Sequence, residues 1–112
     1  MRYPRVDMEG LSAIVALAET GDTVKAGALL NIGPSAVMKR LSKAEAELLT
    51  RLFRKINGKM VPTSDGKLYS GTALRAIEQA VLAEEKVFAT KRLRGKRLSV
   101  GRNFPLSNRS SA

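Results

Sequence analysis

Apolar residues recur at helical spacing in the first half of the chain, in three stretches separated by short turns. Asp7 precedes the first stretch and can cap a helix, and Gly21 follows it as a stop. Asp22 can cap the second stretch. Pro34 suits the first position of the third, because the N–H group that proline lacks is not used there. The pattern predicts three short amphipathic helices. Their apolar positions are Leu11, Ile14, Val15 and Ala18; Val24, Ala26, Ala28, Leu29 and Leu30; and Val37, Leu41, Ala44 and Leu48.

The second and third predicted helices are separated by only a few residues, which is typical of a helix-turn-helix. The second member of such a pair can enter the major groove of DNA, which is about 12 Å wide. Hydroxyls and cations on its exposed face suit contacts with base edges and phosphates. The exposed face consists of Ser35, Met38, Lys39 and Ser42, flanked by Arg40 and Lys43. A solvated helix face explains the same residues equally well at this stage.

The segment from Arg51 to Thr63 has a different pattern, in which two short runs flank the dipeptide Asn57-Gly58. Asn-Gly between such runs is a strong local signal for a β-hairpin. We therefore expect a two-stranded wing after the third helix, with Lys55 and Lys59 near its tip. Cations at that place can reach the sugar-phosphate backbone or a minor groove.

A long helix is predicted from residue 64 to about residue 92, with Thr63 as its cap. Its apolar residues lie close to one stripe along the helix. Such a stripe favours dimerisation with a second copy of the chain, and the alternative is that it packs on the first helix of the same chain. The stripe consists of Leu74, Ile77, Val81 and Phe88. The predicted fold class is mainly α: a winged helix-turn-helix with a three-helix core and a two-stranded wing, followed by this linker or dimerisation helix. The expected domains are residues 1–63, 64–92 and a basic tail, 93–112, expected to be disordered.

The formal net charge of the chain is +10, and the positive charge is concentrated in two places. Residues 34–63 carry a net charge of +5 and residues 91–112 carry +7, whereas the two remaining segments carry −1 each. This distribution favours a defined binding face for a polyanion together with a separate basic arm. Double-stranded DNA is therefore the expected partner.

The chain contains no Cys and no His, which argues against most catalytic and metal-binding chemistry. A disulfide, a thiolate nucleophile and a thiolate zinc site all need Cys, and the usual general base is His. The carboxylates Glu45, Glu47, Glu84 and Glu85 are interpreted as solvated helix faces. We expect no enzyme activity, no cofactor, no metal and no membrane span, and we place the protein in the cytoplasm.

Over roughly residues 8–90 the sequence resembles the N-terminal winged helix-turn-helix domain of LysR-type transcriptional regulators. The resemblance is a pattern of many individually weak positions in register, without one sharp motif. They are Leu11, Ile14, Leu17-Ala18-Glu19, Gly21, Ala26-Gly27, Leu30, the stretch Gly33 to Met38, Lys39, Leu41, Glu45, Leu48, Leu52-Phe53, Lys55, Thr63 and Gly66. It implies a dimeric regulator whose long helix joins two copies, and a pseudo-palindromic DNA site. It also implies phosphate contacts from Lys25, Arg40, Lys43, Lys55 and Lys59.

Several positions depart from the family pattern. Gly33-Pro34 stands where the family shows Ser-Gln, and Met38 replaces a second Ser. Two polar readers of DNA bases are therefore lost, so the preferred DNA sequence cannot be inherited from relatives. Leu49 replaces a usual Gly, which predicts a less standard junction between the third helix and the wing.

The family's effector-binding domain is expected to be absent, because only Gly95 to Gly101 resembles its opening strand. No small-molecule effector is therefore expected, and the chain is interpreted as either a truncated product or a natural stand-alone module. Two other functions stay open. The protein could be a truncated paralogue that dimerises with full-length regulators and blocks their DNA binding, or a non-specific nucleoid-type binder that uses its basic tail.

Overall fold

A computed structural model describes the backbone of residues 1–98 and the side chains through residue 92. Its elements follow the order helix, helix, helix, strand, strand, helix. They are α1 (Met8–Thr20), α2 (Thr23–Leu30), α3 (Pro34–Leu48), β1 (Phe53–Ile56), β2 (Lys59–Pro62) and α4 (Ser64–Leu98). This order confirms the predicted three helices, two-stranded wing and long helix.

The ends of α1 and the start of α2 are set by the residues that the sequence indicates. The Asp7 carboxylate accepts a hydrogen bond from the N–H of Gly10 at 2.9 Å, and Gly21 ends α1 in the left-handed conformation with a φ of 68°. The Asp22 carboxylate accepts from the N–H groups of Val24 and Lys25, at 2.7 and 3.2 Å. Each helix start thus gains a side-chain acceptor for N–H groups that have no partner inside the helix.

The turn between α2 and α3 depends on a glycine. Asn31 has a φ of 64°, and the next N–H, of Ile32, donates to the carbonyl oxygen of Gly27 at 2.9 Å. A Cβ atom on Gly27 would collide with the carbonyl oxygen of Ile32. In this chain the absence of a side chain at Gly27 therefore permits the close approach of the turn to α2.

The hydrophobic core lies where α1 packs against α2, α3 and β2. Its largest fully buried side chains are Ile14, Leu17, Val37, Leu52 and Phe53. The N–H of Met60 in β2 also donates to the carbonyl oxygen of Gly21 at 2.9 Å. This bond ties the wing to the turn between α1 and α2.

The root of the wing is held by Glu45 of α3, which corrects the interpretation of Glu45 as a solvated helix face. Its side chain is only 16% exposed. One carboxylate oxygen accepts from the N–H of Leu52 at 2.7 Å and from that of Phe53 at 3.3 Å, and the other lies 3.8 Å from Nε of Arg51. The carboxylate thus supplies the acceptor for the N–H groups at the entry to β1, which are part-buried and need a partner.

The junction between α3 and the wing contains a residue in an unfavourable conformation. Leu49 ends α3 with a φ of 58°, in the left-handed region that favours glycine, and its side chain is exposed. The departure from the family's usual Gly at this position therefore costs backbone energy without a gain in packing.

The start of α4 is capped as predicted. The Thr63 hydroxyl accepts from the N–H of Gly66 at 3.0 Å and donates to the carbonyl oxygen of Arg51 at 2.7 Å. The helix continues to Leu98, beyond the predicted end near residue 92, so the first residues of the expected disordered tail are helical. Residues 95–98, which begin the stretch that resembles an opening strand, are helical, so that part of the expectation is wrong. Residues 99–112 lie outside the described residues.

The chain divides into two compact units. The first, Met1–Glu78, contains the helix-turn-helix, the wing and the beginning of α4. The second begins at Gln79, inside α4. Within the first unit, Ala73 is buried in the core, and Tyr69 and Ile77 pack against it.

Candidate nucleic-acid interface

The outer surface of α3 presents one continuous strip of side chains. Ser35, Met38, Lys39 and Ser42 are all exposed, and we call these four residues the α3 strip. The opposite face of the helix carries Val37, Leu41 and Ala44, which are buried in the core. The helical period therefore separates a packing face from an outward face, as the sequence pattern predicts. Met38 differs from its polar neighbours, because it is apolar and 38% exposed.

Arg40 and Lys43 lie on the flank of α3 that faces the beginning of α1. Nη2 of Arg40 lies 3.6 Å from Oε2 of Glu9, and Nζ of Lys43 lies 3.9 Å from Oδ2 of Asp7. Arg40 is only 26% exposed, whereas Lys43 is 73% exposed. Both cations are thus paired within the protein, Arg40 in a half-buried pair and Lys43 in an exposed one.

The wing is a two-residue hairpin, as Asn57-Gly58 predicts. Asn57 and Gly58 have φ values of 50° and 79°, the positive values that a tight hairpin turn requires. The register pairs Lys55 with Met60, and Ile56 with Lys59. Because paired residues of antiparallel strands point to the same side, Lys55 and Lys59 project from opposite faces of the wing. They therefore cannot act as one cluster at the tip.

A groove separates α3 from one face of the wing. It has a volume of about 510 Å³. Met38 and Ser42 line it from α3, and Lys55 and Gly58 line it from the wing. The structure thus brings Lys55 to the space beside the α3 strip, a position that sequence spacing alone does not show.

A further predicted phosphate ligand, Lys25, lies near the start of α2. Lys25 is exposed in the first turn of α2. The N–H groups of Lys25 and Val24, together with the charges of Lys25 and Lys59, lower the pKa of the Asp22 carboxyl. Asp22 itself lines the groove that Lys55 also lines.

Sequence reasoning assigned no role to Arg54 in the wing. Arg54 is exposed, and its register partner is Val61, so it shares the outer face of the wing with Lys59. Because side chains alternate along a strand, the sequence could have placed Arg54 and Lys55 on opposite faces of β1. It could not show which of the two faces meets the groove.

The residues predicted for dimerisation fall in both units. In the first unit Leu74 is exposed, whereas Ile77 packs against the core of its own chain. In the second unit Val81 and Phe88 are exposed, as are Leu82 and Val87. Packing on the core of the same chain thus accounts for Ile77, whereas Leu74, Val81 and Phe88 are exposed.

Residues 8–67 match the family described as bacterial regulatory helix-turn-helix protein, lysR family. The chain belongs to the LysR family. An uncharacterized HTH-type transcriptional regulator in the ibpB-leuC intergenic region of Azotobacter vinelandii is 33% identical to it over 72 residues. That alignment covers 64% of this chain and 50% of the relative, so this LysR-family chain spans about half of the relative's length.

Two solved structures of similar fold are DNA complexes. The CbnR DBD–DNA complex has a TM-score of 0.67 and 21% identity, and the match covers 76% of this chain and 98% of that one. The complex of the BenM DBD with benA site 1 DNA has a TM-score of 0.65 and 22% identity, and it covers 79% and 96% of the two chains. These likenesses confirm the winged helix-turn-helix fold of this LysR-family chain.

No helix within residues 1–98 is both long enough and apolar enough to cross a bilayer. Within the same part of the chain, no three acidic side chains gather in a way that would hold a metal ion.

Proposed function

We propose that the protein is a dimeric, LysR-type transcriptional regulator that binds double-stranded DNA in a sequence-specific way. The observation that carries this proposal is the α3 strip, which faces away from the core on the second helix of a helix-turn-helix. Such a helix fits the major groove, where base edges differ between all four base pairs. The DNA complexes of the structurally similar CbnR and BenM domains support the same assignment.

Phosphate contacts are proposed for the cations that surround the strip. Lys25, Lys43, Lys55 and Lys59 are exposed and belong to α2, α3 and the wing, and Lys55 lines the groove beside the strip. Arg40 joins this set only if it exchanges its partner Glu9 for a phosphate, because its side chain is half-buried in that pair. Contacts of this kind supply affinity and orientation, whereas the α3 strip supplies specificity. Since prokaryotic chromosomal DNA lies in the cytoplasm, we place the protein there, on the nucleoid.

The test of sequence-specific binding is selection from a randomised pool of duplex DNA at near-physiological salt. We expect a two-fold symmetric motif to be enriched. Lys39→Ala should relax the preference at one position of each half-site and weaken binding about 5- to 150-fold, because a good base contact contributes about 1–3 kcal/mol. The matched control is Lys67→Ala, which removes an exposed lysine at the beginning of α4 and should leave the motif unchanged.

If no motif is enriched, or if Lys39→Ala and Lys67→Ala behave alike, α3 does not read the sequence. Equal affinity for unrelated duplexes would identify a non-specific binder. Weak DNA binding together with heterodimer formation would identify a partner that blocks other regulators.

Dimerisation through α4 is supported by the exposed apolar side chains of this helix. Within the second unit, Val81 is 44% exposed and Phe88 is 38% exposed, and apolar surface of this kind favours contact with another helix. Val81→Glu places a charge on that face and is expected to shift the sedimentation coefficient from dimer to monomer at micromolar concentration. Gln79→Glu, with the same added charge on the opposite side of the helix, should remain dimeric. An unchanged dimer in Val81→Glu would place the interface elsewhere.

A further inference from the structure

We propose that residues 1–5 form a second DNA-binding element, which we call the N-terminal arm. This inference rests on the proposed DNA-binding function and adds a contact outside the helix-turn-helix and the wing. The arm has the sequence Met-Arg-Tyr-Pro-Arg and contains two cations and no acidic residue. The match to the LysR family begins only at residue 8, so the arm lies outside the segment that the family shares.

The root of the arm is fixed by Val6. This side chain is 4% exposed, and Gly10 leaves space for it, since a Cβ atom on Gly10 would lie only 2.7 Å from Cγ1 of Val6. The same hypothetical Cβ atom would lie 3.9 Å from Cβ of Ala44 in α3. The arm therefore leaves the domain at the seam between the beginning of α1 and α3.

The seam places the arm beside the flank of the proposed recognition helix. Arg5 lines a small cavity together with Arg40, Lys43 and Glu47. Lys43 is one helical turn from Lys39 of the α3 strip. Five extended residues span at most about 17 Å, which exceeds the width of the major groove, about 12 Å. The arm is thus long enough to reach the phosphates beyond the edge of that groove.

The charge of the arm is available for an external anion. Neither Arg2 nor Arg5 forms an ion pair with a residue of the described part of the chain, and all five arm residues are exposed. The two carboxylates at its root, Asp7 and Glu9, already pair with Lys43 and Arg40. Glu47 is the remaining carboxylate that lines the cavity, and it faces two arm cations, Arg2 and Arg5, so the arm keeps an excess positive charge. An exposed cationic segment beside a DNA-binding helix is suited to phosphate contacts.

The test is the salt dependence of DNA binding by the full chain with Arg2→Ala and Arg5→Ala combined. Each phosphate contact contributes about −0.9 to the slope of log K against log salt concentration, so the slope should become less steep by about 2. Preference for the selected motif over an unrelated duplex of equal length should not change, because phosphate contacts do not read sequence. The thermal midpoint should also stay at the wild-type value, since both side chains are exposed.

The matched control combines Lys67→Ala with Arg75→Ala, which removes the same charge from exposed positions of α4. An unchanged slope in the arm variant, or the same decrease in both double variants, overturns the inference. The slopes are measured on the motif and on the unrelated duplex. If the wild-type protein binds both duplexes equally, the proposed sequence-specific function is contradicted. The change in slope on the unrelated duplex still tests the arm in that case.

Discussion

Replacement of Glu45 by alanine is expected to lower the free energy of unfolding by about 2–4 kcal/mol. The carboxylate accepts hydrogen bonds from the N–H groups of Leu52 and Phe53, whose side chains are both buried. A hydrogen bond to a charged group contributes about 1.5–3 kcal/mol, and a buried donor left without a partner adds a penalty. Since about 1 kcal/mol shifts the thermal midpoint of a small domain by roughly 4–8 °C, the midpoint should fall by more than about 8 °C.

The matched control for this prediction is Glu47→Ala. Glu47 lies two residues further along α3, is exposed, and makes no hydrogen bond or ion pair with the residues that the structure describes. Its replacement should change the free energy of unfolding by less than about 0.5 kcal/mol. Glu45→Gln should fall between wild type and Glu45→Ala, because the amide keeps one acceptor but loses the charge. Equal denaturant midpoints for Glu45→Ala and Glu47→Ala would show that the carboxylate does not hold the wing.

Gly66→Ala is expected to destabilise the protein by about 3 kcal/mol or more. A Cβ atom on Gly66 would overlap the carbonyl oxygen of Leu52 and would lie 3.3 Å from Cβ of Pro62. That carbonyl cannot easily move, because it accepts a hydrogen bond from the N–H of Thr63 at 2.9 Å and belongs to a buried residue. Overpacking against well-packed atoms costs about 1–3 kcal/mol, and backbone atoms adapt less than side chains.

Gly71→Ala provides the opposite expectation within the same helix. A Cβ atom on Gly71 meets no atom within 4 Å, and the residue is exposed in the interior of α4. Alanine should therefore stabilise the protein by about 0.5–1 kcal/mol, because glycine is the poorer helix former. Chemical denaturation of the two variants should move the midpoint in opposite directions. A midpoint for Gly66→Ala at or above that of wild type would contradict the close approach of Gly66 in α4 to the carbonyl group of Leu52.

Local signals in the sequence were sufficient to predict the helices and strands of the fold and most of their ends. Asp7, Asp22 and Thr63 act as helix caps, and Asn57-Gly58 forms the hairpin turn, each as predicted. These features involve residues within about three positions of one another, so the relevant atoms are neighbours in any conformation with the same backbone. The predicted end of α4, near residue 92, was six residues too early, because no cap or proline marks a stop in that part of the sequence.

The candidate site was predictable only in part. Helical periodicity placed Ser35, Met38, Lys39 and Ser42 on one exposed strip, which the structure confirms as a geometric feature. The same reasoning grouped Arg40 with them, but Arg40 turns toward Glu9 of α1. That pairing depends on how α1 crosses α3, and a single helix does not contain this information.

The wing shows the same division between local and tertiary information. The turn dipeptide predicts a hairpin, yet its register decides that Lys55 lines the groove beside α3 while Lys59 lies on the other face. Because side chains alternate along a strand, a shift of one residue would reverse these positions. Glu45 is a further case, since its hydrogen bonds join residues that are seven and eight positions apart.

The sequence by itself determined the family, the order of helices and strands, the residues that begin and end them, and the outward face of α3. These properties follow from periodicity and from contacts between near neighbours. Only the tertiary structure decided which cations are paired within the protein, which face of the wing meets the groove, and where the N-terminal arm leaves the domain. These properties depend on the packing of elements that are distant in the chain, and packing is set by the whole core together.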